Sequence, residues 1–415
     1  MHNLKIFTDN IDDEAKNQIQ KLLDQEAFKD SKIRIMPDVH AGSNCVIGFT
    51  GDLGEKVIPN IVGNDIGCGM LCVNLGNVDI DYKKLDEFIN MHIPSGKKVN
   101  EEKQTEFDLT NLLCYEQLRN VDFIERSIGT LGDGNHFIEI DTDNDNNKYL
   151  VIHTGSRNLG AQVAKYYQRL AVILCERSFK DYQKMREELI AKLKEQQREK
   201  EIEKELKALS EKNQYFHKGI PQEYAYLEGK YREAYLHDMK ICQEYAELNR
   251  FVIAKKITEH MGWPLVDYFE SVHNYISFED NIVRKGAISA KKGEKVIIPI
   301  SMKDGCILGA GKGNIDWNNS APHGAGRKMS RKKAQESINL ESYIDIMKNI
   351  YTSSVNENTI DESPFAYKSI QDILDNISPT VEITNLIKPV YNYKASDKEM
   401  IIEPETKSHS KSNKL

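Results

Sequence analysis

Five histidine or cysteine residues stand out in short, mostly glycine-bearing motifs: Cys68 in VGNDIGCGM (62–70), His136 in LGDGNHFIEI (131–140), His153 in VIHTGSRNLG (151–160), His273 in VHN (272–274) and His323 in APHGAGRKMSR (321–331). The whole chain has 11 histidines. Glycine beside such a residue lets the backbone turn sharply and approach a ligand, while the preceding apolar run anchors it on a strand. Asp65 and Cys68 lie three apart in one turn, close enough to face one ion. A carboxylate, a thiolate and imidazoles suit a borderline divalent ion such as Zn²⁺ or Mn²⁺ better than Mg²⁺ or Ca²⁺, which prefer oxygen alone. Singly, each has a plainer reading: a turn-forming aspartate, a buried thiol, a satisfied core histidine. Their joint occurrence points to a metal centre. Cys72, in the alternating GMLCVNL segment, has the wrong spacing from Cys68 for a zinc knuckle and is expected in the core. His40, in MPDVHAG, is expected to shape a turn.

APHGAGRKMSR carries the strongest anion signal. Gly324 and Gly326 expose backbone N–H groups, and an expected helix start just after them would add a dipole that favours phosphate. Arg327 and Arg331, four apart, share one face and could fork onto phosphate oxygens. A histidine in that cradle is a candidate nucleophile on phosphorus.

The elements that must position these groups are legible in outline. From Lys5 to about Leu159, short apolar runs (RIMPDVH, CVIGF, GMLCVNL, HFIEI, YLVIHTG) alternate with glycine-rich turns, which predicts a β-rich core with functional loops at strand ends. Residues 162–262 read as helical, with a break near HKGIPQ at 217–222. Between Asp181 and Lys212, 18 of 32 residues are charged, and the apolar face of Met185, Leu189 and Leu193 shifts to the opposite side by Ile202. That predicts a solvated arm, whereas Tyr226, Tyr231, Tyr235, Met239, Tyr245 and Phe251 in the second arm are expected to pack. The strand pattern returns from Val266 to Ala334. The expected organisation is α+β: a catalytic core from 1–175 and 263–395, a helical insertion over 176–262, and a polar, disordered tail over 396–415.

Composition narrows the classes. Hydrophobic residues make up 40% and charged residues 29% of the 415, which excludes disordered, collagen-like and membrane chains. The N-terminal residues lack a basic segment followed by an apolar one, so a cytoplasmic protein is expected. Seven scattered cysteines do not form a disulfide framework. The net charge of −8 means that a nucleic acid would have to meet a local basic patch. Arg157, Lys285, Lys312, Arg327 and Arg331 lie in or near the motif loops.

VGNDIGCGM, GNHFIE, HTGSR, VHN and HGAGRKMSR, in this order, resemble the RtcB family of RNA ligases over about residues 30–394. The resemblance implies an RtcB-like fold and a GTP- and Mn²⁺-dependent ligase that joins an RNA 3′-phosphate or 2′,3′-cyclic phosphate to a 5′-OH. It implies repair or tRNA-splicing work, with an archease-like activator as a candidate partner. Two Mn²⁺ ions would be held by Asp65, Cys68 and His136 and by Cys68, His153 and His273, the thiolate bridging, and His323 would carry GMP covalently. Asn135, Asn274, Gly324, Ala325, Gly326, Arg327 and Lys394 would contact the guanine nucleotide, and Glu139 would read the guanine edge. Two other readings remain, a Mn²⁺-dependent nucleotidyl- or phosphohydrolase and a non-catalytic RNA-binding regulator. Asp133 and the Lys303–Asp304 pair in SMKDG depart from the family pattern.

Overall fold

A computed structural model of the chain describes residues 3–212 and 219–395. The expected tail at 396–415 and part of the break at 217–222 lie outside the described residues. Two sheets hold the site between them. The first has β1 (Asn3–Ile6), β2 (Lys32–His40), β3 (Ile47–Asp52), and further along the chain β8 (Asn274–Ser277) and β9 (Ile282–Lys285), in the order β1-β2-β3-β9-β8. The second has seven antiparallel strands: β4 (Gly69–Gly76), β5 (Phe137–Thr142), β6 (Lys148–Thr154), β7 (Tyr268–Val272), β10 (Lys295–Ser301), β11 (Gly305–Gly311) and β12 (Val381–Lys394). Their order is β10-β11-β12-β5-β6-β4-β7. Its two edges nearly close on each other, with Ile297 N–H donating to Ser271 Oγ at 3.1 Å.

Alternation along these strands separates two apolar layers, because successive side chains on a strand point to opposite faces. Met70, Cys72, Phe137, Val151, Ile297, Cys306, Leu308 and Ile387 pack with one another inside the barrel. Leu71, Val73, Ile138, Ile140, Leu150 and Ile152 form the other layer, packed with Ile253, Ala254 and Ile257. Cys72 thus takes the core position expected for it.

Among the helices, those that bear on the site are α1 (Arg157–Glu195), α2 (Ile202–Lys212), α3 (Gly229–Met261) and α4 (Arg331–Ser337). The segment 176–262, expected as one helical insertion, divides into two unlike parts. Beyond Cys175, α1 buries Tyr182 and Leu193 while most of its other side chains are accessible. By contrast α3 runs through the core: Tyr235, Met239, Tyr245, Ala246, Asn249, Ile253 and Ile257 are fully buried. Its aromatic residues are packing groups, as expected, and the helix as a whole packs against the strands of the barrel.

Candidate active site

The metal motifs meet where β4, β5, β6 and β7 end. Cys68 Sγ lies 3.5 Å from His136 Nε2 and 3.2 Å from His153 Nε2. His153 Nε2 is 3.3 Å from His273 Nε2, and His136 Nε2 is 3.2 Å from Asp65 Oδ2. Ligands about 2.1 Å from one ion in a tetrahedron stand roughly 3.4 Å from each other, so this spacing fits cation ligation. The other ring nitrogens support it: Nδ1–H of His136 donates to Leu131 O at 2.9 Å and that of His153 to Asn135 O at 3.2 Å, leaving Nε2 for an ion. His273 Nδ1 is buried and has no hydrogen-bond partner among the described residues.

Electrostatics agree with that donor set. Burial holds the His153 and His273 rings well below the usual imidazole pKa, hence neutral. Burial works against the Asp65 carboxylate, but the neighbouring His136 prevails and keeps it below the usual range. Burial, then the Asp65 charge, pushes the Cys68 thiol up, so a bound cation must displace its proton. Close packing leaves no room for a side chain at residue 155, where a Cβ on Gly155 would come 2.2 Å from Asp65 Oδ1.

The cluster borders a cavity of about 1090 Å³ lined by Asp65, Cys68, Asn135, Glu139, His153, His273, Asn274, Lys394 and the loop from His323 to Arg331. His136 stands behind Asp65. His323 follows the short strand Ser320–Pro322, and its ring centroid lies 4.9 Å from that of His273. Asp38 on β2, fully buried, accepts from His323 Nδ1–H at 2.6 Å and from the His323 backbone N–H at 3.1 Å, which fixes Nε2 as the free nitrogen. The loop is pressed onto the same strand, for Gly326 has φ 75° and a Cβ there would lie 2.2 Å from Asp38 O. His40 ends β2, with Nδ1 2.9 Å from Asp38 O, and burial lowers its pKa to about 4.

The expected cradle differs in two respects. Helix α4 starts at Arg331, capped by Ser330, seven residues past Gly324, so no dipole is aimed from just behind the glycines. Nor are the two arginines free forks. Arg327 bonds Glu362 Oε1 at 3.2 Å and Asp361 O at 2.6 Å, while Arg331 bonds Asp361 Oδ2 at 2.6 Å and Glu362 Oε1 at 2.5 Å. Lys394 Nζ joins them at 2.8 Å from Glu362 Oε2 and donates to Asn135 O at 2.9 Å. Burial would raise the Glu362 pKa, but Lys394, Arg331 and Arg327 outweigh it and bring it to about 2. Of the other basic residues near the motifs, Arg157 donates to Thr130 Oγ1 and Gly96 O, Lys285 to Val62 O, and Lys312 to Ser378 O.

Sequence reasoning missed four supporting residues. Asp38 left a signal, an acid inside the apolar run RIMPDVH. Glu362 left none. Asn249 and Arg250 sit in what read as an appendage, yet they hold the metal loops. Asn249 Nδ2 donates to Thr130 O and Gly155 O at 3.2 and 3.1 Å, and Arg250 Nη1 to Gly67 O and Thr154 O at 2.7 and 3.0 Å.

Comparison with known proteins agrees with this arrangement. Residues 25–122 and 115–395 match the family described as tRNA-splicing ligase RtcB. The RNA-splicing ligase RtcB of Escherichia coli K12 is 27% identical over 399 residues, covering 86% of this chain and 88% of the relative. The tRNA-splicing ligase RtcB of Nanoarchaeum equitans is 27% identical over 439 residues, covering 82% and 83%. RNA-splicing ligase RtcB homolog 2 of Entamoeba dispar is 24% identical over 455 residues, covering 86% and 78%. Because the family match runs through both sheets and every motif that meets at the cavity, the chain belongs to the RtcB family of RNA ligases.

Proposed function

We propose that this chain is a GTP- and Mn²⁺-dependent ligase that joins RNA 3′-phosphate or 2′,3′-cyclic phosphate ends to 5′-OH ends through a guanylate carried on His323. The observation that carries the reading is the Asp38–His323 pair, which presents a ring nitrogen to the cavity beside His273. Asp65, Cys68 and His136 would hold one ion, and Cys68, His153 and His273 the other. When bound, these ions offset charge on phosphate oxygens and on the departing pyrophosphate.

His323 Nε2 attacks the α-phosphorus of GTP, the bond to pyrophosphate breaks, and the Nδ1 proton stays against Asp38 Oδ2. A 3′-phosphate oxygen of the RNA, after opening of any cyclic phosphate, then displaces His323 from that phosphorus. The activated end is attacked by the 5′-OH, and GMP leaves. Asn135, Asn274 and the Ala325 and Gly326 amides position the nucleotide phosphates, and Glu139 and Lys394 meet the base. Arg327 and Arg331 shape this wall through Glu362.

Mass spectrometry after incubation with GTP and Mn²⁺ tests the reading. The wild-type chain should gain one guanylate and His323→Ala none, while the variant should still seal RNA supplied with a 3′ end already guanylylated. An adduct on the variant, or release of GMP without joined strands, would refute it.

A further inference from the structure

One carboxylate inside the barrel has no conventional donor. Asp141 is fully buried, and among the described residues neither of its oxygens meets an N–H or O–H hydrogen apart from a proton held by Glu139 or by the Cys306 thiol. It lies two residues beyond Glu139 on β5, so both side chains point into the barrel. Ligand atoms of Glu139, Asp141 and Cys306 all fall within 4.8 Å of one another. Glu139 reaches the cavity and accepts from Asn392 Nδ2 at 2.6 Å, while Asp141 sits deeper. The groups facing the pair are Cys72 from β4, Cys306 from β11, and Asn392 and Lys394 from β12, with Lys394 Nζ already engaged by Asn135 O and Glu362. β6 and β10 contribute the apolar Val151 and Ile297.

Two carboxylates this close, walled by apolar groups, do not both ionise, so the pair retains a proton. We propose that Asp141 is a specificity-determining positioning residue that shares one proton with Glu139, the holder of that proton setting which base edge Glu139 can read. The inference rests on Glu139 meeting the nucleobase, as in the function proposed above. Ionised, Glu139 offers two acceptors to the N1–H and 2-amino group of guanine. Protonated, it offers a donor and an acceptor, which suits N1 and the 6-amino group of adenine. Burial, followed by the Asp141 charge, lifts the Glu139 pKa well above the usual carboxylate value, and burial lifts Asp141 to about 6. Above that pH the pair carries one negative charge. Guanine draws it to Glu139: the Glu139 O–H bond breaks, an Asp141 O–H bond forms, and net charge is conserved. Below it both groups are protonated and the preference for guanine fades.

The test is the ratio of AMP to GMP dissociation constants on the Mn²⁺-loaded protein from about pH 5 to about pH 8. Taking a ratio cancels the titration of metal ligands and of phosphate. In the wild type, guanine preference should fall toward about tenfold per pH unit below about 6, as for loss of one proton-coupled interaction. Asp141→Asn, whose amide donates to an ionised Glu139, should keep the preference to lower pH. A flat wild-type ratio overturns the proposal, and so does an unchanged profile in the variant. If the variant does not fold, the wild-type profile alone decides. Failure of the wild type to bind either nucleotide overturns both this inference and the function it rests on, whereas binding with a pH-independent ratio overturns this inference alone.

Discussion

Replacing Arg250 by Met should cost the protein both stability and metal, although Arg250 touches no ion. The guanidinium is 1% exposed and forks onto Glu270 at 2.8 and 2.7 Å, while Nη1 holds Gly67 O and Thr154 O. Removing one partner of a buried ion pair costs about 3–5 kcal/mol. Each orphaned carbonyl adds about 1–3 kcal/mol, partly offset because the Glu270 side chain is 19% exposed and can turn to water. Even where that offset cancels the ion-pair part, the two carbonyls leave a net loss of about 2–6 kcal/mol, read from urea unfolding of the metal-free protein. Gly67 lies beside Cys68 and Thr154 beside His153, so Mn²⁺ affinity should fall about 10- to 100-fold, as for loss of other groups that orient ligands. Arg250→Lys keeps the charge without the fork and should fall between the two. An Arg250→Met protein within about 1 kcal/mol of wild type and carrying a full Mn²⁺ complement would refute the reasoning.

Three further outcomes are expected. Asp38→Asn should slow guanylate transfer to His323 by about 10²–10⁴-fold with metal content unchanged, because an amide can donate to Nδ1 and leave the wrong tautomer; an unchanged rate at saturating GTP would exclude this. Glu362 has a folded pKa of about 2 against an ordinary 4.5, so its contribution is fully present above about pH 4.5 and is lost as pH falls through about 2. Unfolding free energy should therefore decline across that window, less steeply in Glu362→Gln, and equal slopes would count against it. Replacing residues 196–212, which include the mostly accessible α2, by a short linker should leave adduct formation intact in a folded, metal-loaded protein, and loss of the adduct would make the arm part of the catalytic unit.

The aspartate, cysteine and histidines that converge at the cavity were legible because glycine-bearing turns and scarce histidines mark themselves locally. So was a β-rich core, whereas the near-closure of seven strands into a barrel rests on pairings between distant segments that no local pattern shows. Long-range pairings left weaker traces. Asp38 and His323 are 285 residues apart, and the sequence offers no periodicity that joins them. Glu362 looks like an ordinary loop acid until three cations converge on it. Arg250 was hidden by its setting, because the packing expected of the second arm rested on its Tyr, Met and Phe positions and gave no sign of a buried cation among them. Arg327 and Arg331 were expected to share one face as free forks, but the nearby acids that occupy them were invisible.

Helix α3 presses Ile253, Ala254 and Ile257 on the barrel wall and, one turn earlier, holds the carbonyls of Gly67 and Thr154. Loop geometry and global packing therefore draw on the same free energy, and whatever binds the loops must also suppress opening of the helix. Amide hydrogen exchange along α3 should slow when the cluster is loaded and quicken on chelation, which makes a helix without a single metal ligand a reporter of occupancy.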